Sequence, residues 1–302
     1  MSSLVRALRA WLDTSATPQG RGIDWPRVLP YLALHLSCLA VLVVGVSPLA
    51  VVVAFAFYLL RMFAITGFYH RYFSHRAFRT SRVLQFLFAA LAASAVQRGP
   101  LWWAAHHRHH HAHSDRPGDP HSPAQHGFLW SHTGWFMARE HFGTRTALVR
   151  DLARYPELRL LDRYDIAVPF LLALALFAAG ELLRVEAPWL GTDGWQLLVW
   201  GFCVSTVALY HATFTVNSLA HRLGSRRYAT RDDSRNNWFI ALFTLGEGWH
   251  NNHHHYPLAA RQGFYWWEID LTYYALRLLA LLGLVWDLKP VPLAVRESRR
   301  AR

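Results

Sequence analysis

Three histidine clusters stand out in this 302-residue chain. They are HRYFSH at residues 70–75, HHRHHH at 106–111 and HNNHHHYP at 250–257. The spacing H-x-x-H-H occurs in two of them, at His107, His110 and His111 and at His250, His253 and His254. Because residues three and four apart share a helix face, each run directs three imidazoles toward one point, as a bound transition metal requires. The recurrence predicts a polynuclear metal site rather than surface histidines or a His-rich tract with casual metal affinity.

The ligand types narrow the choice of metal. Cys38 and Cys203, the two cysteines, both lie in apolar segments, so neither a disulfide framework nor a thiolate site is expected. The clustered imidazoles outnumber the four donors of one tetrahedral zinc, which favours two metal ions. Iron suits imidazole and can activate O2, whereas zinc has no redox chemistry; histidine ligation alone leaves zinc and copper open.

A further candidate ligand lies after the last apolar segment, where Asn217 and His221 are one helical turn apart. A polar pair at that depth is costly without a partner, which favours a metal-site role. The alternative is an asparagine that caps the helix end beside a surface histidine. His211 lies deeper, and we expect a buried, hydrogen-bonded side chain there rather than a ligand.

Composition places these motifs on a membrane protein. The chain is 53% hydrophobic, with 14 Trp, 12 Tyr and 18 Phe. Four apolar segments approach the ~20 residues that cross a bilayer, at about 29–46, 49–68, 166–183 and 197–216. Val83–Val96 and Thr272–Val285 are too short to span and are expected to be interfacial or buried. We therefore predict an all-α integral membrane protein with two transmembrane hairpins and a helical cap that holds a di-metal site.

Basic residues predict the orientation. Arginines concentrate in the tails 1–28 and 286–302, while the turn Gly45–Pro48 is uncharged. The positive-inside rule therefore places both tails and the cap segments 69–165 and 217–285 in the cytosol. The domain that contains the spans and the cap is predicted to run from residue 29 to residue 285. The first 20 residues carry arginines among their apolar positions, which predicts a weak amphipathic helix on the membrane surface rather than a signal peptide.

The formal net charge is +12, and Lys289 is the only lysine. Such a charge suits anionic lipid or a phosphate-bearing substrate. Nucleic acid is not an expected partner, because the arginines are dispersed around membrane segments and no nucleic-acid motif is present.

HRYFSH, HHRHHH, NSLAH and GEGWHNNHH, in this order, resemble the membrane-bound fatty acyl desaturases of the stearoyl-CoA desaturase type, especially their bacterial members. The resemblance covers residues from about 30 to 285. It implies a helical protein of the bacterial inner membrane, with its active site facing the cytoplasm. It also implies two iron ions (Fe2+) and O2 as co-substrate. The product would be a cis double bond, usually at Δ9, in a saturated acyl chain carried as a thioester, with acyl-CoA the first choice.

Carried over by position, the resemblance implies a set of iron ligands, with Asn217 acting through water. These histidines are His70, His75, His107, His110, His111, His221, His250, His253 and His254. Asp119, His121 and His132 could orient ligand imidazoles. Candidate walls of an acyl tunnel are Gln97, Trp103, Tyr210 and Phe214.

The headgroup and the electron source stay open. Animal members carry an Arg-Asp pair before the paired histidines, whereas this chain has Ala105-His106, which leaves acyl carrier protein or a membrane glycerolipid as alternatives to CoA. Candidate phosphate contacts are Arg79, Arg82, Arg98, Arg108 and Arg139. Because no haem, flavin or nicotinamide motif is present, we expect a separate electron donor, a ferredoxin or cytochrome, on the basic cap.

Two rival functions remain. A membrane di-iron hydroxylase of lipids or hydrocarbons uses similar clusters, but the H-x-x-x-x-H pair, the lone His221 and the GEGWHNNHH context favour desaturation. A metal carrier or haem-binding protein would place histidines along a transmembrane path. Only His35 and His211 lie inside the predicted spans.

Overall fold

The computed structural model describes residues 22–298, together with residues 13, 300 and 301. The amphipathic helix expected within residues 1–20 lies outside this part of the chain. The helices are, in order, α1 Trp25–Val44, α2 Pro48–Ser74, α3 Arg82–Ala93, α4 Pro100–His113, α5 Pro123–His126, α6 Arg150–Ala153, α7 Pro156–Arg163, α8 Ala167–Glu186, α9 Gly194–Ser218, α10 Trp238–Phe243, α11 His250–His255, α12 Leu271–Leu281 and α13 Leu293–Glu297. Two short strands, β1 Arg79–Thr80 and β2 Val285–Trp286, pair antiparallel.

Four helices, α1, α2, α8 and α9, are long and apolar enough to cross a membrane. They match the four predicted segments, so the predicted all-α membrane architecture is confirmed. The main difference is in α2, which continues past its apolar part to Ser74 and so carries the first histidine motif out of the membrane on one continuous helix. The shorter apolar segments form α3 and α12, neither of which is long enough to span.

The spans form two hairpins. Gly45 ends α1 at φ 68°, a left-handed conformation that glycine adopts without steric cost, and Pro48 begins α2, where its missing N–H is not needed. The second hairpin packs against this turn, because Gln196 donates to the carbonyl of Val44 and Trp200 to that of Gly45, both at 2.9 Å. The four spans therefore share one end, away from the cap.

At the other end the spans merge with the cap. Asp24 donates its backbone N–H to the carbonyl of Met137 at 3.0 Å, and Ile23 forms an isolated β-bridge with Ala138. The buried core continues from α2 into α3, α4 and α12 without a break. Because the hydrophobic core is shared, the cap is held at a fixed position over the spans.

One buried charge, Arg61, lies within the apolar part of the spans. The Arg61 guanidinium donates to Thr206 Oγ1 at 2.6 Å, to Ser205 Oγ at 2.5 Å and to the carbonyl of Ser94 at 3.3 Å. An arginine inside a membrane requires such partners. This cluster fastens α2 to α9 and to the loop after α3 that carries part of the cavity wall described below.

Candidate metal centre

The first histidine pair depends on a local change of helix type. Residues five apart in an α-helix point about 140° apart, so His70 and His75 would diverge. Here the last part of α2, from Ala64 to Ser74, has wider π-type turns, and His75 donates its backbone N–H to the carbonyl of His70 at 3.3 Å. The two rings lie 5.0 Å apart by centroid. The π-turns, which often mark functional sites, bring both imidazoles to one side.

Both H-x-x-H-H runs are helical, as predicted, on α4 and α11. Five of the predicted ligands form a first group, which we call the five-His group: His70, His75, His107, His111 and His253. The Nε2 atoms of His75 and His107 lie 2.8 Å apart, and those of His111 and His253 lie 2.9 Å apart. Each of the five offers a ring nitrogen within 4.8 Å of the others.

The other four predicted histidines form a second group, which we call the four-His group: His110, His221, His250 and His254. Their ligand nitrogens also lie within 4.8 Å of one another, and the Nε2 atoms of His221 and His250 are 3.0 Å apart. His110 and His111 are neighbours on α4 yet belong to different groups, as do His253 and His254 on α11. Each H-x-x-H-H run therefore supplies ligand nitrogens to both groups.

Carboxylates orient several of these imidazoles from behind. His110 Nδ1 donates to Asp119 at 3.0 Å, His221 Nδ1 to Asp115 at 2.7 Å and His254 Nδ1 to Asp232 at 2.9 Å. With the proton on Nδ1, the Nε2 lone pair faces the centre of the group. Of these three aspartates, only Asp119 was anticipated from sequence as a residue that orients a ligand imidazole.

In the five-His group, the orienting carboxylate is Glu247, which accepts a hydrogen bond from His70 Nδ1. Glu247 also accepts from Arg71 at 3.0 Å and from Gln262 at 3.0 Å. Arg71 is fully buried and reaches Asp270 at 2.9 Å as well. This ion-pair network joins the HRYFSH motif to the GEGWHNNHH motif.

Burial shapes the protonation of the cluster. Burial and the neighbouring histidines hold the pKa values of His107, His111 and His253 well below the ordinary histidine value. Their rings are therefore neutral and can offer lone pairs. Burial is the largest influence on Asp115 and opposes its ionisation, but the contact with His221 and the hydrogen bonds from Ser122 and the backbone of Asp233 together outweigh it and lower the pKa of the carboxyl to about 2. The site thus combines neutral imidazoles with ionised carboxylates.

Several residues that position this site were not identified from sequence: Asp115, Asp232, Glu247, Asn251, Asn252 and Gln262. Asn251 accepts from the backbone N–H groups of Arg227 and Tyr228 at 2.9 and 2.7 Å. Asn252 donates to Glu268 at 2.9 Å. For Asp115, Glu247, Asn251 and Asn252, the available signal was their position within a histidine motif or a few residues from one.

The remaining cap histidines have other partners. His109 and His106 face the carbonyls of Gly118 and Gly143, and His255 faces that of Val295. His121 stacks on His110 with centroids 4.3 Å apart. These four residues therefore surround the two groups and do not enter them.

His132 does not orient a ligand imidazole. It contacts Ser218 Oγ at 2.9 Å and His211 at 3.1 Å, and His211 in turn contacts His35 at 3.2 Å. His211 is hydrogen-bonded as expected but exposed rather than buried, because it faces outward between α1 and the segment around His132. This row of rings lies outside both histidine groups.

An apolar cavity lies against both groups, with His70, His107 and His250 in its wall. The wall includes all four predicted substrate residues: Gln97, Trp103, Tyr210 and Phe214. Trp103 stacks on His107 with centroids 5.0 Å apart. Gln97 donates to Thr213 Oγ1 at 2.8 Å, which fixes the wall between the loop after α3 and α9. Asn217 also lines the cavity.

Comparison with known proteins decides the family. A family model described as fatty acid desaturase matches residues 47–286. An sn-1 stearoyl-lipid 9-desaturase of Anabaena variabilis is 37% identical over 281 residues, which cover 92% of this chain and 97% of that protein. The chain belongs to the fatty acid desaturase family.

Other relatives of the desaturase differ in the substrate that their names state. An sn-2 palmitoyl-lipid 9-desaturase of a Nostoc species is 41% identical over 221 residues, covering 72% of this chain and 73% of that protein. An acyl-CoA 5-desaturase of Anemone leveillei is 39% identical over 241 residues, covering 79% and 70%. The family resemblance is confirmed, and both acyl-lipid and acyl-CoA enzymes lie within it.

The donor set of this desaturase fits two metal ions. Two nitrogens bound at about 2.1 Å and right angles to one ion lie about 3.0 Å apart, which is the spacing between facing Nε2 atoms here. His254 Nε2 is buried and has no hydrogen-bond partner among the described residues. A shared cation would stabilise lone pairs that face each other in a dry interior.

The cavity wall at the membrane boundary carries paired charges. Arg27 is 3.1 Å from Asp24, and Arg98 is 2.8 Å from Asp165. Both guanidinium groups lie over the Phe142 ring, at 4.0 and 3.8 Å. Of the five arginines predicted to contact phosphate, four are in salt bridges within the protein: Arg79, Arg82, Arg98 and Arg108. The two arginines in the cavity wall, Arg27 and Arg98, are therefore both paired with carboxylates.

Proposed function

We propose that this desaturase holds two iron ions and uses O2 to introduce a cis double bond, at Δ9, into a saturated acyl chain. The observation that carries the proposal is the convergence of nine imidazoles, in groups of five and four, beside an apolar cavity. The five-His group would hold one ion. The four-His group would hold the other, with Asn217 acting through a water molecule.

The reaction removes two hydrogens from neighbouring methylenes. O2, two electrons, two protons and –CH2–CH2– give –CH=CH– and two waters. Two irons, when bound, supply the O2 activation that an unactivated C–H bond demands. The protein's part is to orient the imidazoles through Asp115, Asp119, Asp232 and Glu247, and to exclude water from the reacting carbons.

The cavity wall positions the acyl chain. Trp103 lies between the apolar wall and His107, so a chain in contact with its ring passes beside the histidine groups. Tyr210 and Phe214 stack along one face of α9, with centroids 5.5 Å apart. The hydrogen bond between Gln97 and Thr213 adds a fixed polar point in an otherwise apolar wall. A saturated chain is thereby held in one register.

For the headgroup, we propose a membrane glycerolipid. CoA carries several phosphate charges, and its binding calls for unpaired cations, whereas the arginines in the cavity wall are neutralised by Asp24 and Asp165. Asp24 and Asp165 also lie just before α1 and α8, so this part of the cavity wall adjoins two membrane-spanning helices and would be within reach of a lipid. Relatives named as acyl-CoA desaturases keep acyl-CoA as the second candidate.

The test is expression in a host that makes saturated lipids, with fatty acids analysed by gas chromatography and mass spectrometry. We expect Δ9 monounsaturated chains, first in intact glycerolipids after a short pulse of labelled saturated acid. Label that reaches acyl-CoA as the unsaturated form before any lipid would support the CoA alternative. A gain of oxygen in the product would indicate hydroxylation.

We also propose that the cap and both tails face the cytoplasm of a bacterial inner membrane. The arginine-rich tails support this orientation through the positive-inside rule. An impermeant thiol reagent applied to whole cells should not label a cysteine appended after Arg302, but should label one placed at the exposed Trp189, in the turn between α8 and α9. The reverse labelling pattern would overturn the orientation.

A further inference from the structure

A second, polar cleft opens on the cap. It is formed by the end of α4 and the residues just after it, by residues 229–232 and by α11, and it shares no residue with the acyl cavity. His111 and His254 lie in its wall, with Arg116 and Arg231 at its rim. Both arginines are exposed. The two histidine groups thus stand between an apolar cavity and a polar cleft.

The cavity and the cleft contact different imidazoles of each histidine group. The cavity contacts His70 and His107 of the five-His group and His250 of the four-His group. The cleft contacts His111 of the first group and His254 of the second. Each proposed ion therefore has one imidazole that leads directly to the outer surface, on the side away from the acyl chain.

The charge at the cleft is positive. Neither Arg116 nor Arg231 has a salt-bridge partner among the residues that the structure describes. The carboxylate in the cleft wall, Asp232, already accepts from His254 Nδ1 at 2.9 Å and from Ser234 Oγ at 2.5 Å. The negative charge of Asp232 is therefore directed at His254, a proposed metal ligand. Arg116 and Arg231 remain free to attract an acidic partner.

We propose that this cleft is the docking site of an acidic one-electron carrier protein, and that electrons enter through His111 and His254. The inference rests on the proposed function, because desaturation consumes two electrons and the carrier must therefore dock twice in each turnover. Acidic side chains around the carrier's redox group would face Arg116 and Arg231. Such complementary charge accelerates encounter more than it tightens the complex.

The test uses the full-length enzyme with a reduced plant-type [2Fe–2S] ferredoxin as the probe. The variants are Arg116→Glu, Arg231→Glu and the double variant. The control is the double variant Arg150→Glu and Arg159→Glu, which makes the same charge change at exposed arginines on α6 and α7. We expect the rate at low ferredoxin concentration to fall about tenfold or more in the Arg116/Arg231 double variant only, with a weaker dependence on salt.

A second measurement separates docking from chemistry. Each protein is reduced with dithionite and mixed with O2 and the acyl substrate that the wild type converts, and product from a single turnover is counted. Equal product in all variants, with the ferredoxin-dependent loss confined to Arg116 and Arg231, supports the cleft. Unchanged ferredoxin kinetics in their double variant, or loss of its single-turnover product, would overturn the docking site. A wild type that forms no product would contradict the proposed function instead.

Discussion

The two histidine groups differ in how their imidazoles are supported. In the four-His group, three of the four rings donate from Nδ1 to an aspartate: His110, His221 and His254. In the five-His group, one ring, His70, donates to a carboxylate, Glu247. Hydrogen bonds of this kind raise the basicity of a metal-bound imidazole. The smaller group thus has fewer donors, but three of them are made more basic by an aspartate.

Because of this difference, we expect the two histidine groups to respond differently to mutation. Removal of an imidazole should be severe in either group, whereas removal of a supporting charge should matter most where support is densest. The ring of His250 sharpens the contrast, because its Nδ1 is buried without a hydrogen-bond partner among the described residues. The four-His group therefore depends on its three aspartates for orientation.

The largest expected effect comes from loss of a ligand in either group. His110→Ala and His253→Ala should each reduce desaturation below detection, a loss of about a thousandfold or more, because each ring belongs to one of the two groups. Membrane insertion should persist, since neither residue lies in a span. Product is measured by mass spectrometry and insertion by membrane fractionation.

A control lies in the same motif. His109 is on α4 beside His110, yet it contacts the carbonyl of Gly118 and belongs to neither group. His109→Ala should keep most of the wild-type activity. Loss of activity equal to that of His110→Ala would show that the motif as a whole, rather than the two groups, controls the reaction.

The next effect tests the support directly. Asp232→Asn keeps the shape of the side chain but removes the charge behind His254, and should weaken metal binding at the four-His group by about 10–100-fold. Metal content after titration with a chelator should fall first to about half of the wild-type value. Parallel loss of both ions would show that the groups are not independent.

Glu247→Gln provides the matched change in the five-His group. Four further imidazoles remain there without a carboxylate behind them, so we expect the smaller loss of metal affinity. Protein yield must be compared as well, because Glu247 also pairs with the buried Arg71. A larger metal loss than in Asp232→Asn would reverse the comparison.

The sequence predicted the features that depend on local residue patterns and not those that depend on tertiary packing. Spans and the helical H-x-x-H-H runs depend on local periodicity and hydropathy, so both could be read from the chain. The assignment of His110 and His111 to different groups could not, because it depends on how α4, α9 and α11 meet in three dimensions. The π-turns around His70 and the reach of Asp115 and Asp232 across loops were hidden for the same reason.

The smallest effect concerns the cavity and not the metal. Phe214 is 8% exposed and lies 5.1 Å from Phe136 by ring centroid, so a larger ring must displace the wall or the acyl chain. Overpacking costs roughly 1–3 kcal/mol, and Phe214→Trp should change yield or product chain length by about tenfold at unchanged metal content. Phe170 on α8 is 66% exposed, so Phe170→Trp is the control. An unchanged product profile would place the acyl chain elsewhere.

Two metal ions are proposed to bind the nine imidazoles, one ion in the five-His group and one in the four-His group. Anomalous diffraction or cryo-electron microscopy of iron-loaded protein tests it most directly. We expect two metal peaks, one within the five-His group and one within the four-His group. A single peak, or a second peak outside the four-His group, would contradict it.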